Sequence, residues 1–404
     1  MRSAWRWLAT IGLVGMALFV VAACGGGSDN ESSSTTTSET SGTPQIDAAN
    51  LPVDFSEMAK LKDLASEGKG LVGVLLPDTT TSARYVQYDA PFLKKAFETA
   101  GLSSDQFKID NAHGSTSTMQ QQAEADITAG ASVLLVDPLD PGSGAAIESN
   151  AESKGVKVID YDRLVTGGPK DRYYVSFNNV EVGKLIGQGM VDCIGAWKVS
   201  KPQLLVMSGD PKDNNAKLFA QGYNGVLDPK FSDSTYVKVG APAGTWDPPT
   251  AATEFEQQFT AHPNINAVVT PNDDNANAVI AVLLKNKVKA NTFPTTGQDA
   301  APTGLQNILK GYQCGTVYKL PYAEPQAAAA LALYLRAGKT PPSTLVNATT
   351  RDSQLNADIK SVYTKPVWVT KSNMKDTVIA DNVIPISQIC GGKMAQVCAA
   401  NGIQ

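Results

Sequence analysis

Histidine is nearly absent: His113 and His262 are the only two in 404 residues. That leaves little for a histidine-rich metal site or an Asp-His-Ser relay. There is no GxxxxGK[ST] and no GxGxxG between a strand and a helix, so nucleotide binding has no motif behind it. The GxSxG nucleophile elbow and a DxDxDG-type calcium loop are missing as well. Positive charge is not in excess, with 34 Lys and Arg against 39 Asp and Glu for a net charge of −5. Nucleic-acid binders carry a basic face, which this balance does not supply. What is present is a 42% apolar fraction, enough for real cores, over a length that suggests two or three domains. The composition points away from catalysis and towards an extracytoplasmic binder that uses neither cofactor nor metal.

The first residues carry an address. Arg2 and Arg6 form a positive start, and Leu8 to Val21 form an apolar stretch that ends in Val21-Ala22-Ala23-Cys24. The stretch has signal-peptide length and falls short of the ~20 residues that span a bilayer. Small residues before a cysteine, with glycines after it, resemble the lipobox of bacterial lipoproteins. Residues 1–23 are therefore expected to be removed and Cys24 to be lipidated. An uncleaved anchor helix and a plain secretory peptide are the alternatives. Residues 24–50 begin with Cys24 and run on as GGGSDNESSSTTTSETSG (25–42), almost without large apolar side chains, and read as a flexible tether to the outer face of the cell membrane. Cleavage takes two arginines and no acid, moving the net charge from −5 to −7. Four cysteines then remain, which in an exported chain suggests two disulfides in one of three connectivities. Cys390 and Cys398, close in sequence around a glycine pair, are the preferred pair; free buried thiols are the alternative.

From residue 71 onward, short apolar runs such as LVGVLL (71–76), SVLLV (132–136), VKVID (156–160), QLLVM (203–207) and INAVVT (265–270) alternate with longer amphipathic stretches. Runs of this kind suit buried parallel strands, and the repetition predicts an α/β fold. The remaining length exceeds what one sheet usually organises, so two Rossmann-like lobes are expected. Polar clusters follow the runs: PDTTTSARY (77–85), DPLD (137–140), YDR (161–163), GDPKDNN (209–215), PNDD (271–274) and GQDA (297–300). Ligands of open α/β sheets bind outside the carboxyl ends of the strands, which is where these groups fall.

Planar Asp, Asn and Arg groups can clamp neighbouring hydroxyls, which both donate and accept. An aromatic plate packs on the apolar face of a pyranose ring, a role open to Trp246 and Tyr85. Trp246 also reads as a plug beneath its loop, and Arg163 as a surface arginine. The pairs Asp273-Asp274 and Asp160/Asp162 lack a positioned partner for acid–base work and read as turns with single ligand contacts.

The motifs VIDYDR (158–163), YVSFNN (174–179), DNNAKLF (213–219), PNDD, GQDA, TVYK (316–319) and VTKSNMKDTVI (369–379) occur in order over about three quarters of the chain. Together they resemble the periplasmic sugar-binding proteins of ABC importers, type I fold, and most of all the D-xylose-binding branch. The resemblance implies Arg84 and Tyr85 in the first ligand loop, and Asp162 with Arg163 as an acid–arginine pair. It implies Asp213, Asn215, Asn272 and Asp299 on hydroxyls, Trp246 stacked on the sugar, and Lys319 beside the pocket at a hinge. Asp137 is placed on the same rim. The chain would cross between lobes near Asn178, Lys319 and Thr364. The first lobe would then hold 71–177 with 320–363, and the second 178–319 with 364–404. A lipid-anchored monomer delivering a monosaccharide to a membrane permease follows from the resemblance, with a sugar sensor or chemotaxis receptor as the alternative.

Overall fold

The computed structural model describes residues 43–80 and 84–403. The leader, Cys24 and the tether up to residue 42 lie outside the described residues. The first sheet starts with β1 (Leu71–Leu76), β2 (Phe107–Asn111), β3 (Ala131–Val136), β4 (Lys157–Tyr161) and β5 (Tyr173–Phe177). The chain then builds β6 (Gln203–Val206), β7 (Val237–Gly240), β8 (Ala267–Val269) and β9 (Thr316–Lys319). It returns to the first sheet with β10 (Ala348–Asp352) and β11 (Ala357–Thr364), and leaves through β12 (Pro366–Val369).

The first sheet has seven strands in the order β10-β11-β5-β4-β3-β1-β2, parallel except for the β10–β11 hairpin. The second has β7-β6-β8, all parallel, and single bridges at Val268–Thr295 and Gln298–Val317 carry the pairing towards β9. β9 and β12 pair antiparallel. Central strands are buried on both faces, so β1 and β3 read as continuous Val and Leu runs rather than as alternating ones. Helices cover them. The Ala323–Arg336 helix, alanine-rich and almost wholly buried, packs under the first sheet in a core with Val72, Val133, Ile159 and Val175. A separate core around Val182, Phe219, Leu204 and Val269 supports the second sheet.

One finding alters the expected outline, and a second bears out the preferred disulfide and supplies its companion. The tether assigned to 24–50 does not extend to 50. Ile46 and Ala48 are buried in the first core, Ala48 N–H donates to the Thr344 carbonyl at 3.1 Å, and the Thr344 hydroxyl donates to the Ile46 carbonyl at 2.7 Å. Composition hid this because one isoleucine and one alanine are enough to anchor a segment once a core offers them a slot. The cysteines pair as Cys390–Cys398 and Cys193–Cys314, the latter joining residues 121 apart. It ties the end of the Asn179–Ala196 helix to the turn before β9. Among the described residues no helix is long and apolar enough to cross a membrane.

Candidate ligand site

The site lies where the carboxyl ends of both sheets face each other. After β6, Asp213 caps the Asn214–Ser232 helix through Oδ1, which accepts from Asn215 N–H at 2.8 Å. That bond leaves Oδ2 to accept from Trp246 Nε1 at 3.0 Å. After β8, Asn272 caps the Asp273–Lys285 helix by accepting from Asn275 N–H at 2.9 Å. Short polar residues satisfy the free N–H groups of a first turn, so capping and rim chemistry demand the same residue types here.

Two site residues hold left-handed backbone: Asp162 at φ 58° and Asp299 at φ 91°, the latter followed by Ala300 at φ 51°. Such angles cost energy for residues with a Cβ and persist where surroundings enforce them. Asp162 N–H is held by the Val175 carbonyl at 3.0 Å, and Asp299 N–H by the Val317 carbonyl at 2.9 Å. Gly209 answers a different need. A Cβ there would come within 2.1 Å of Trp246 Cζ2, so only glycine lets the indole lie across that loop. Trp246 also meets Phe219 edge to face, with centroids 6.5 Å apart.

Arg84 anchors the other wall. Its guanidinium binds Asp89 with Nε and Nη2, both at 2.8 Å, reaches Asp162 at 3.1 Å with Nη1, and contacts Glu324. Tyr85 donates to Asp162 at 3.1 Å, and Tyr161 donates to Asp89. Burial pushes the Asp162 carboxyl up, but the charges of Arg84, Lys319 and Arg163 outweigh it and hold the group below its usual range. For Glu324 burial wins over Arg84 and raises the carboxyl to about 8. Burial likewise raises Asp213, with Arg163 opposing.

Arg163 is placed differently from Arg84. Its nearest carboxylate oxygens are Asp213 at 3.4 Å and Asp137 at 3.7 Å, and its Nη1 lies 3.4 Å from the Pro138 carbonyl. These contacts are long, so its donors are not consumed by the protein. Lys319 Nζ pairs with Asp299 at 3.2 Å. The two rims touch: Asn215 donates to the Asp162 carbonyl at 2.8 Å and accepts from Tyr174 OH at 3.1 Å.

A single cavity is lined by Arg84, Tyr85, Asp162 and Arg163 from one side and by Asp213, Asn215, Trp246, Asn272, Asp299 and Lys319 from the other. Asp137 is a correction: it does not reach the cavity wall. Its carboxylate is fully buried behind Arg163, with neither oxygen hydrogen-bonded in the described structure, and burial drives its pKa well up. Asp137 follows directly on β3, and the Arg163 side chain stands in front of it. Phe219 and Gln298, absent from the expected ligand set, also line the cavity. Phe219 stands four residues after Asn215 in one helix, a spacing that puts both on one face. Gln298 adjoins Asp299, and the Asp299 backbone turn lets neighbours share the wall. Asp89 and Glu324 were not included either. Glu324 lies 240 residues from Arg84, and no local signal connects them. Among the described residues no group of three or more His, Cys, Asp or Glu side chains could hold a metal ion.

Residues 72–340 match the periplasmic binding protein domain family. The chain belongs to the periplasmic binding proteins. It is similar to the D-xylose-binding periplasmic protein of Escherichia coli, at 34% identity over 72% of this chain and 84% of that one. It is also similar to the multiple sugar-binding periplasmic receptor ChvE of Rhizobium radiobacter, at 29% identity over 80% and 92% of the two chains. Among solved structures, the carbohydrate transporter solute-binding protein of Chloroflexus aurantiacus in complex with D-glucose superposes with a TM-score of 0.70. It shares 27% identity, over 79% of this periplasmic binding protein and 98% of that chain.

Proposed function

We propose that this periplasmic binding protein captures a neutral monosaccharide, D-xylose or a similar pentose or hexose, as the substrate-binding subunit of an ABC importer. The observation that carries the reading is the cavity itself: planar acid, amide and guanidinium groups from two facing rims, with Trp246 as the aromatic plate. The cations Arg84, Arg163 and Lys319 are each matched by a carboxylate within about 4 Å, so the lining favours hydroxyls over a charged ligand. It binds and releases rather than converts, in keeping with relatives that are sugar-binding proteins and not enzymes. Crossings near Asn178, Lys319 and Thr364 serve as the hinge, and sugar bridging the rims favours the closed form that a permease recognises. The contacts Arg163–Asp213 and Asn215–Asp162 support this, since opening must break them.

A thermal-shift panel of xylose, glucose, ribose, arabinose and galactose tests the reading. At a concentration of 100 Kd the right sugar stabilises the protein by about 2.7 kcal/mol, readily seen as a rise in Tm. No response to any of the five, with no sugar co-purifying by mass spectrometry, rejects it. A second reading, a sensory receptor that presents sugar without importing it, is favoured by the receptor named among the relatives. Uptake of labelled sugar that is undiminished by deletion of the gene supports that alternative.

The anchor has its own test. Cys24→Ser is expected to release the protein into the medium, because the lipid on that thiol is what would hold the folded body to the membrane. Retention in the membrane fraction means that the apolar leader itself is the anchor.

A further inference from the structure

The backbone of Asp137 is fixed where β3 ends, its N–H held by the Leu75 carbonyl at 3.0 Å. Its side chain is fully buried, and neither carboxylate oxygen has a hydrogen-bond partner among the described residues. A carboxylate taken out of water in this way is costly unless a cation answers it. Among the described residues Arg163 is the one cation within 4 Å, and its answer is incomplete. The same nitrogen, Nε, lies 3.7 Å from Asp137 Oδ1 and 3.4 Å from Asp213 Oδ2. One N–H thus stands between two acceptors and makes a normal hydrogen bond to neither. The two acceptors differ in what they ride on. Arg163 stands just after β4, and β4 pairs directly with β3 through Asp160 and Val136, so Asp137 and Arg163 belong to one sheet. Asp213 follows β6, in the other sheet.

We infer that Asp137 is a positioning residue, the counter-ion that takes Arg163 back when the two rims separate and so favours the open form of the empty site. The inference rests on the hinge reading above and adds to it a device that sets the balance between open and closed. Separation carries Asp213 away while Asp137 keeps its place beside Arg163, so the guanidinium is free to close the gap to Asp137. With the rims together, Asp213 draws Nε off and leaves the Asp137 carboxylate buried without a hydrogen bond. Closure therefore gives up the Asp137–Arg163 pair, and ligand contacts must outweigh that loss. Asp137 does not line the cavity, so it acts on the ligand only through Arg163.

Asp137→Asn keeps the shape of the side chain and removes its charge. The experiment compares this variant with the parent, as full chains, by small-angle scattering without sugar. Calorimetric and stopped-flow titrations follow, with D-xylose or whichever of the five panel sugars raises Tm most. Without sugar, Asp137→Asn is expected to be more compact than the parent and close to the sugar-saturated parent. A larger closed population should tighten binding by about three- to tenfold. Association should slow, because fewer molecules are open to receive the sugar. Asp213→Asn removes the opposing carboxylate, and without sugar it should be at least as extended as the parent. A sugar-free Asp137→Asn protein as extended as the parent, or one that binds sugar more weakly, overturns the inference. If neither Asp137→Asn nor the smaller Asp137→Ala folds, the carboxylate serves the fold and the inference is overturned as well. A parent whose scattering does not change with bound sugar defeats the hinge reading. A parent that compacts, beside an Asp137→Asn protein that behaves identically, defeats this inference alone.

Discussion

Arg84→Ala is expected to destabilise the protein by about 3–5 kcal/mol, the cost of stripping the partner from buried charges. Among the described residues Arg84 is the one cation in contact with Asp89, Asp162 and Glu324 together, and all four side chains are at least nine-tenths buried. Without it three carboxylates face one another in a low-dielectric pocket. Repulsion and burial then hold the Glu324 pKa in the folded state further above that of the unfolded chain. The sign follows: a group raised on folding contributes stability below its unfolded pKa and loses it as pH rises through the folded one. The deficit of the variant should therefore be small near pH 4 and grow towards pH 8, the region to which Glu324 is already raised in the intact cluster. Urea midpoints of both proteins across that range measure it. A midpoint equal to that of the parent, or a deficit independent of pH, would show that the cluster is not what holds this wall. Loss of sugar binding should accompany the loss of stability, because Asp162 and Tyr85 are positioned through the same guanidinium.

Trp246→Ala is expected to weaken sugar binding more than tenfold while lowering stability only modestly. The indole is half-buried and lines the cavity, so truncation removes the plate on which a pyranose face packs and admits water to it. It also removes the Nε1 donor to Asp213, leaving Oδ2 of a buried carboxylate with only the long Arg163 contact. Trp246→Phe separates the two effects. It keeps a ring for stacking and loses the hydrogen bond, so its affinity should fall between those of the parent and the alanine variant. Tryptophan fluorescence is compromised in these variants, and calorimetry is the suitable readout. An unchanged titration curve for Trp246→Ala would remove the indole from the pocket and return it to the role of a plug over Phe219 and the second core.

Much of the site was legible before the fold was known, for a local reason. Asp162 follows directly on β4, and Asn272 and Asp213 cap the helices that follow β8 and β6, so an apolar run succeeded by Asp or Asn marks the strand-to-helix connection in one dimension. The strand runs themselves were readable because both faces of β1, β3 and β4 are covered. The β10–β11 hairpin was less so. Its strands alternate buried and exposed residues at the edge of the sheet, and polar side chains such as Arg351, Asp358 and Lys360 mask the pattern. Asp137 shows the limit from the other side: it stands at such a junction and still fails to line the cavity, because Arg163 folds across it.

The amino-acid sequence alone determined the α/β class and the polar positions that follow its strands, since each depends on neighbours within a few positions along the chain. Only the tertiary structure decided the rest. The order of strands in each sheet, the Cys193–Cys314 bond, the burial of Ile46 beside Thr344 and the grouping of Asp89 and Glu324 around Arg84 all join distant segments. Such pairings are settled by which surfaces can be buried together and which charges must then find partners, and spacing along a chain does not encode either.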